Sequence, residues 1–245
     1  MKRKYYPRSY KRLFLQKRDV DLIRYCIDQK FMTVEQIAKK FFSPKSDARH
    51  PNQAAYRRVL ILQKFKMLSI RPVLTGEKVV VATDIGAGEL CTRGIDSLEP
   101  VAAVDYRYFE HDRRANDVRI TLENNGLVTS WESDRWLKNR FAQSRVPDAM
   151  FKLANGQCGV LELEIAKKAK GRYERIFEDY AGKRYGDVEL VFYVCNTMRQ
   201  LENLAGMTAD YRWIYYALYD QLMRDGMKTT FANTHEHFEL GELKG

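Results

Sequence analysis

The stretches TVEQIAKKFF (residues 33–42) and NQAAYRRVLILQKFKMLSI (residues 52–70) decide how the first part of this chain folds. In the first, Thr33 can accept the backbone N–H of Gln36 while Gln36 reaches back to the backbone of Thr33. That capping box starts a helix running to about Phe42, which Ser43-Pro44 stops. In the second, Ala55, Val59, Leu62 and Phe65 or Leu68 recur at helical spacing from about Asn52 to Met67, leaving Gln53, Arg57, Arg58, Lys64 and Lys66 outward. Upstream, Val20, Ile23 and Ile27 predict a helix from Arg18 to about Lys30. Downstream, Ser69–Leu74 and Lys78–Thr83 alternate as strands across Thr75-Gly76-Glu77, a hairpin in which Gly76 supplies a positive φ. Asp84–Cys91 then reads as a short helix.

Charge is concentrated in the same region. Residues 1–72 hold 19 Lys/Arg against 5 Asp/Glu, a formal +14, and the remainder of the chain is slightly acidic, giving +10 over all 245 residues. A field so concentrated draws polyanions, and nucleic acid is the expected one, held through phosphates in a salt-dependent way. The tail MKRKYYPRSYKR interleaves cations with Tyr5, Tyr6 and Tyr10, a composition that can grip a groove or stack on bases, or simply fray.

Three helices followed by a hairpin, with the third helix basic, resemble the winged helix-turn-helix of DNA-binding proteins. The resemblance implies that the helix matching Asn52–Met67 enters the major groove of double-stranded DNA. Asn52, Gln53, Tyr56, Arg57, Arg58 and Lys64 would then face DNA, with Lys45, Arg49 and the tail residues Lys2, Arg3 and Lys4 holding phosphates. The expected domains are residues 1–93, a winged-helix unit with its basic tail, and residues 101–245, joined by a linker around Gly94–Pro100.

The second half reads as helix (Glu110–Glu123), strands (Gly126–Trp131, Val146–Leu153, Cys158–Ile165), helix (about Lys168–Lys183) and strand (Val188–Cys195), an α+β or α/β arrangement. Within it, Val146-Pro147-Asp148-Ala149 leads through the turn Ala154-Asn155-Gly156-Gln157 to Leu161-Glu162-Leu163-Glu164-Ile165. Alternation puts Glu162 and Glu164 on one strand face with Asp148 brought beside them by the hairpin, and Leu161, Leu163 and Ile165 inward. Either the glutamates form a solvated polar face, or the three acids hold Mg²⁺ or Mn²⁺ that could activate water for phosphodiester attack.

Pro-Asp followed fourteen residues later by Glu-x-Glu resembles the PD-(D/E)XK nuclease-like superfamily, whose αβββαβ order matches this reading. More narrowly, the chain from Asp19 to Cys195 resembles the replication-relaxation family of plasmids and integrated elements. That likeness implies an N-terminal winged helix joined to a restriction-endonuclease-like domain, with Asp148 and Glu162 as metal-binding acids and Glu110 or Asp117 as an accessory. It also implies action in replication, mobilisation or transcriptional control, as a homodimer or with mobile-element replication or transfer proteins. Where such nucleases carry lysine, this chain has Glu164, so the expected state is a degenerate domain used for dimerisation or partner contact. The alternative is a metal-dependent endonuclease using Asp148, Glu162 and Glu164, with Lys167 or Lys168 supplying the missing cation.

Other signals are weaker. Cys26, Cys91, Cys158 and Cys195 read as reduced core thiols. His111, among charged residues, reads as a salt-bridged surface position, His235-Glu236-His237 as surface, and the apolar Tyr211–Tyr219 stretch as core or dimer contact. No apolar run approaches the roughly 20 residues of a membrane span, and the basic N-terminus lacks the apolar stretch of a signal peptide, so no membrane contact and a cytoplasmic location are expected. Phosphate-loop, dinucleotide-binding, serine-hydrolase and zincin motifs are missing, which disfavours those enzyme classes.

Overall fold

The computed structural model describes residues 13–42, 50–73, 76–141, 145–166 and 170–244 of the chain, a mixed α and β protein. It begins with helix α1 (Lys17–Asp28), strand β1 (Met32–Thr33), α2 (Val34–Phe41), α3 (Pro51–Lys64), β2 (Leu68–Pro72), β3 (Lys78–Ala82) and α4 (Asp84–Thr92). The capping box forms as its residues require: Gln36 N donates to Thr33 Oγ1 at 3.1 Å and Thr33 N to Gln36 Oε1 at 3.0 Å. The three strands make an antiparallel sheet in the order β1-β3-β2, and Gly76 sits in the hairpin at φ +82°. Ile23 and Ile27 of α1, Ile37 of α2, Ala55, Val59 and Leu62 of α3, and Leu68 and Val80 of the hairpin close one core. The two-residue β1 is too short to leave a periodic signature in sequence.

From Phe109 the order is α5 (Phe109–Asn124), β4 (Val128–Ser133), α6 (Asp134–Arg140), β5 (Ala149–Leu153), β6 (Cys158–Glu164), α7 (Lys170–Ala181) and β7 (Leu190–Cys195). There follow α8 (Met198–Met207), β8 (Ile214–Leu218), α9 (Tyr219–Asp225), β9 (Thr230–Ala232) and β10 (His237–Glu239). All seven strands join one mixed sheet, β10-β9-β8-β7-β6-β5-β4, in which β6, β7 and β8 run parallel and the other pairings are antiparallel. Helices cover both faces. Ala115, Val118 and Leu122 of α5 pack with Leu161, Leu163 and Phe192, and Tyr173, Ile176, Phe177 and Tyr180 of α7 pack with Val160, Val191 and Tyr193. The central strands are therefore buried on both sides, the condition under which strands lose simple alternation. The Tyr211–Tyr219 stretch supplies β8 and belongs to the core.

The two halves are tied together. Phe109 stacks on Phe31 with ring centroids 5.2 Å apart, and the buried Asn116 Nδ2 donates to the Phe31 carbonyl at 2.7 Å. Ser133 Oγ donates to the Asp28 carbonyl at 2.7 Å and Trp136 Nε1 to Asp28 Oδ1 at 2.9 Å. The Gly94–Pro100 stretch has no regular element, yet Ile95 and Leu98 pack on the first core. No disulfide joins the four cysteines, and only Cys26 and Cys195 are buried. Cys158 is half-buried and Cys91 exposed, since it falls on the outer side of α4.

Candidate functional site

Two places collect the residues singled out in the sequence. The first is the outer face of α3. Pro51 opens the helix at a position where its missing N–H costs nothing, and Ala55, Val59 and Leu62 anchor it inward. Asn52, Gln53, Tyr56, Arg57, Leu60, Ile61 and Lys64 form a continuous exposed stripe. Neither Arg57 nor Lys64 forms an ion pair with a described residue, so both charges stand open to solvent.

Arg58 departs from expectation. Its guanidinium turns back into the protein, where Nε donates to Asp19 Oδ1 at 2.7 Å and Nη2 binds Asp19 Oδ2. Asp19 is wholly buried on α1 and also accepts the Gln16 N–H at 2.8 Å. A carboxylate placed there needs a fixed cation, and one helical residue of rotation from Arg57 supplies it. Arg58 therefore joins α3 to α1 rather than facing outward. Lys2, Arg3, Lys4, Lys45, Arg49, Lys167 and Lys168 lie outside the described residues.

The second place is the acidic cluster where β5 begins and β6 ends. The solvated glutamate face is not what forms: Glu162 and Glu164 are 2% and 0% exposed, because α7 lies over that face of the sheet. Glu162 accepts from the Tyr180 hydroxyl and the Arg145 guanidinium, and Glu164 from the Tyr173 hydroxyl. Burial pushes the Glu162 carboxyl up, against the downward pull of Arg145. Burial works against the charge of Arg145 too, but Glu162 more than offsets it and holds the guanidinium protonated.

Asp148 is engaged differently. The Leu163 N–H donates to its Oδ2 at 2.7 Å, and His111 Nε2 of α5 lies 3.1 Å from the same oxygen. His111 Nδ1 is 3.6 Å from Asp112 Oδ1, which Lys30 Nζ holds at 2.7 Å. Burial alone would lower the imidazole, but Asp148 and Asp112 outweigh it and push its pKa up to about 10. His111 is thus held toward its charged form: the salt bridge read from the sequence forms, with the imidazole half-buried rather than on the open surface. The signal lay in its place one turn into a helix that must cross the start of β5, which spacing alone does not reveal.

This arrangement corrects the expected metal-binding trio. Asp148, Glu162 and Glu164 each accept from protein donors, Asp148 facing His111 and Glu162 facing Arg145, and among the described residues no three of His, Cys, Asp and Glu gather so as to hold a metal ion. The donor set does not fit Mg²⁺ or Mn²⁺, whose hard-cation site needs carboxylate oxygens open to it and to water. The accessory acids are occupied too: Asp117 accepts from Tyr219 at 2.7 Å and Gln36 at 2.9 Å, and Glu110 pairs with Arg113 at 2.8 Å.

A cleft of ≈ 770 Å³ opens between the halves, lined by Tyr25, Trp131, Trp136 and several charged groups. Those charges answer one another: Lys40 Nζ lies 2.6 Å and Arg119 Nε 2.7 Å from Glu123, and Arg119 stacks over Tyr25 at 4.0 Å. The cleft is a seam between the halves in which Lys40, Arg119 and Glu123 pair with one another. His235 and His237 are exposed, with His235 Nε2 2.7 Å from the Ala209 carbonyl.

Comparison with protein-family models, with curated proteins and with solved structures finds no match for this chain. No helix among the described residues is long and apolar enough to cross a membrane.

Proposed function

We propose that this is a double-stranded DNA-binding protein that reads DNA with α3 and does not cut it. The observation that carries the reading is the +14 of residues 1–72 coinciding with an exposed Asn52-Gln53-Tyr56-Arg57-Lys64 stripe whose two cations form no ion pair among the described residues. The order α1-β1-α2-α3-β2-β3 with a β1-β3-β2 sheet resembles that of a winged helix-turn-helix, and that likeness supports a reading in which α3 enters the major groove. Arginine can pair with a guanine edge and Asn or Gln with adenine, so Arg57, Asn52 and Gln53 are the base-reading candidates and Lys64 a phosphate contact.

In this reading the second half is a retired nuclease-like scaffold. Its helix, three strands, helix and strand follow the PD-(D/E)XK order with α6 inserted, and the Asp148 and Glu162 pair is neutralised from within by His111 and Arg145. Its role is dimerisation or partner contact, and the resemblance to the replication-relaxation family suggests work on a plasmid or other mobile element in the cytoplasm. The experiment is a supercoiled-plasmid incubation at low salt with Mg²⁺, Mn²⁺ or EDTA, read for both mobility shift and nicking. A shift without nicking is expected. Metal-dependent nicking abolished by Asp148→Ala would replace this reading with the endonuclease.

A further inference from the structure

Helix α7 turns Tyr173, Ile176, Phe177 and Tyr180 to the sheet and leaves Arg172 and Arg175 exposed on its outer side. These two arginines, with Arg145 before β5 and Arg184 after the helix, line a cleft of ≈ 410 Å³ whose carboxylates are Glu178 and Asp179. That volume falls in the ~300–1,000 Å³ range of ligand clefts.

The four guanidiniums are unequally used. Arg184 Nη1 is 2.7 Å from Asp179 Oδ1, so that pair is closed. Arg145 binds the buried Glu162 through Nη2, but its Nη1 is buried with no hydrogen-bond partner. Arg145 is also fixed in place, since its carbonyl accepts the Tyr185 hydroxyl and its guanidinium lies 5.9 Å from the Tyr180 ring centre. Arg172 and Arg175 form no ion pair with a described residue, and Arg175 Nε only donates to the Gly171 carbonyl at 3.1 Å. With Arg145 and Arg184 closed on Glu162 and Asp179, the open guanidiniums of Arg172 and Arg175 share the wall with Glu178 and with the unmet Nη1 of Arg145.

We propose that this cleft binds a phosphate oxyanion. Several forked guanidinium donors on one wall suit a tetrahedral group with three or more acceptor oxygens better than a planar carboxylate with two. Because Arg145 is held by packing and by Glu162, part of the ordering cost is met before the ligand arrives. The site is separate from the α3 face, so the proposal stands whether or not α3 reads DNA. The phosphate could belong to a duplex backbone or to a free phosphate compound, which the test separates.

The test is calorimetric titration of the full chain with inorganic pyrophosphate at low ionic strength. It compares the unaltered protein, Arg172→Gln/Arg175→Gln, Arg172→Lys/Arg175→Lys and Arg57→Gln/Lys64→Gln. Both α7 positions are exposed, so unchanged circular dichroism and Tm are expected. The α7 glutamine variant should bind pyrophosphate roughly tenfold more weakly or not at all. The lysine variant should recover part of the loss, and the α3 variant should bind normally. The same α7 glutamine variant is then titrated with duplex DNA across salt concentrations. A fall in the log–log salt slope of about 0.9 per lost contact assigns the phosphate to a duplex backbone; an unchanged slope, with pyrophosphate binding lost, assigns it to a free compound. No pyrophosphate binding by the unaltered protein, equal binding by the α7 glutamine variant, or loss in the α3 variant would overturn the proposal.

Discussion

Replacing Arg58 by alanine removes the guanidinium that faces Asp19 with two donors and leaves that carboxylate, its side chain 1% exposed, with the Gln16 N–H as its other partner. Breaking a buried pair by deleting one member costs about 3–5 kcal/mol, because the remaining charge stays in a poorly solvating interior. For a chain of this size a Tm moves roughly 2–4 °C per kcal/mol, so a fall of roughly 6–20 °C is expected. Arg57→Ala, one residue away on the exposed stripe, should change stability by no more than about 0.5 kcal/mol. The assay is urea unfolding followed by circular dichroism, paired with duplex affinity measured by fluorescence anisotropy well below the unfolding midpoint. Arg58→Ala should lower the midpoint and keep its DNA affinity while folded. Arg57→Ala should keep the midpoint and bind roughly tenfold more weakly. An Arg58→Ala midpoint within 1 kcal/mol of the unaltered protein, or equal loss of DNA binding in both variants while folded, would refute the division of labour between these neighbours.

Three further outcomes follow from the packing and the charges. His111 is protonated more readily folded than unfolded, so its contribution is fully present below its ordinary pKa of about 6.5 and is lost as pH rises through about 10. The stability gap between the unaltered protein and His111→Gln should therefore narrow from pH 6.5 to 10, and the imidazole NMR shifts should stay those of the cation at pH 8. Glu162→Met should destabilise by about 3–5 kcal/mol, since Arg145 loses its counter-charge, whereas Glu162→Met with Arg145→Met should recover most of the loss; urea midpoints for the two variants check this. Gly86→Ala should cost about 1–3 kcal/mol, measured by thermal melting, because its Cβ would run into the Met67 carbonyl oxygen, a backbone atom that cannot easily step aside.

Much of the first half was legible because its signals are local. The Thr33–Gln36 box, the Ala55-Val59-Leu62 spacing and Gly76 each fix an element from within a few residues, and each forms as read. The second half exposes the limit of that approach. Strand positions and the Asp148–Glu162 hairpin could be read, but whether Glu162 and Glu164 face water depends on α7 returning over the sheet, with Tyr173 coming from 9 and Tyr180 from 18 residues away. The tyrosines that serve them look like ordinary helical core. Arg58 is misplaced differently: three residues from Ala55 and four from Leu62, it borders the buried stripe while Arg57 points away, but only the fold brings the buried Asp19 of another helix to that border. Helix α6 and strands β9 and β10 escaped because they are short, whereas α8 was missed although Thr197 and Gln200 form a capping box at its start.

The central claim is DNA binding through α3, and the most direct measurement is the salt dependence of duplex affinity for the unaltered protein and for Arg57→Ala/Lys64→Ala. The account predicts tight binding at low salt, a steep linear fall of log K with log salt, and in the variant both weaker binding by more than about tenfold and a shallower slope. Binding that is undetectable at low salt, or an affinity and slope the double substitution leaves unchanged, would contradict it.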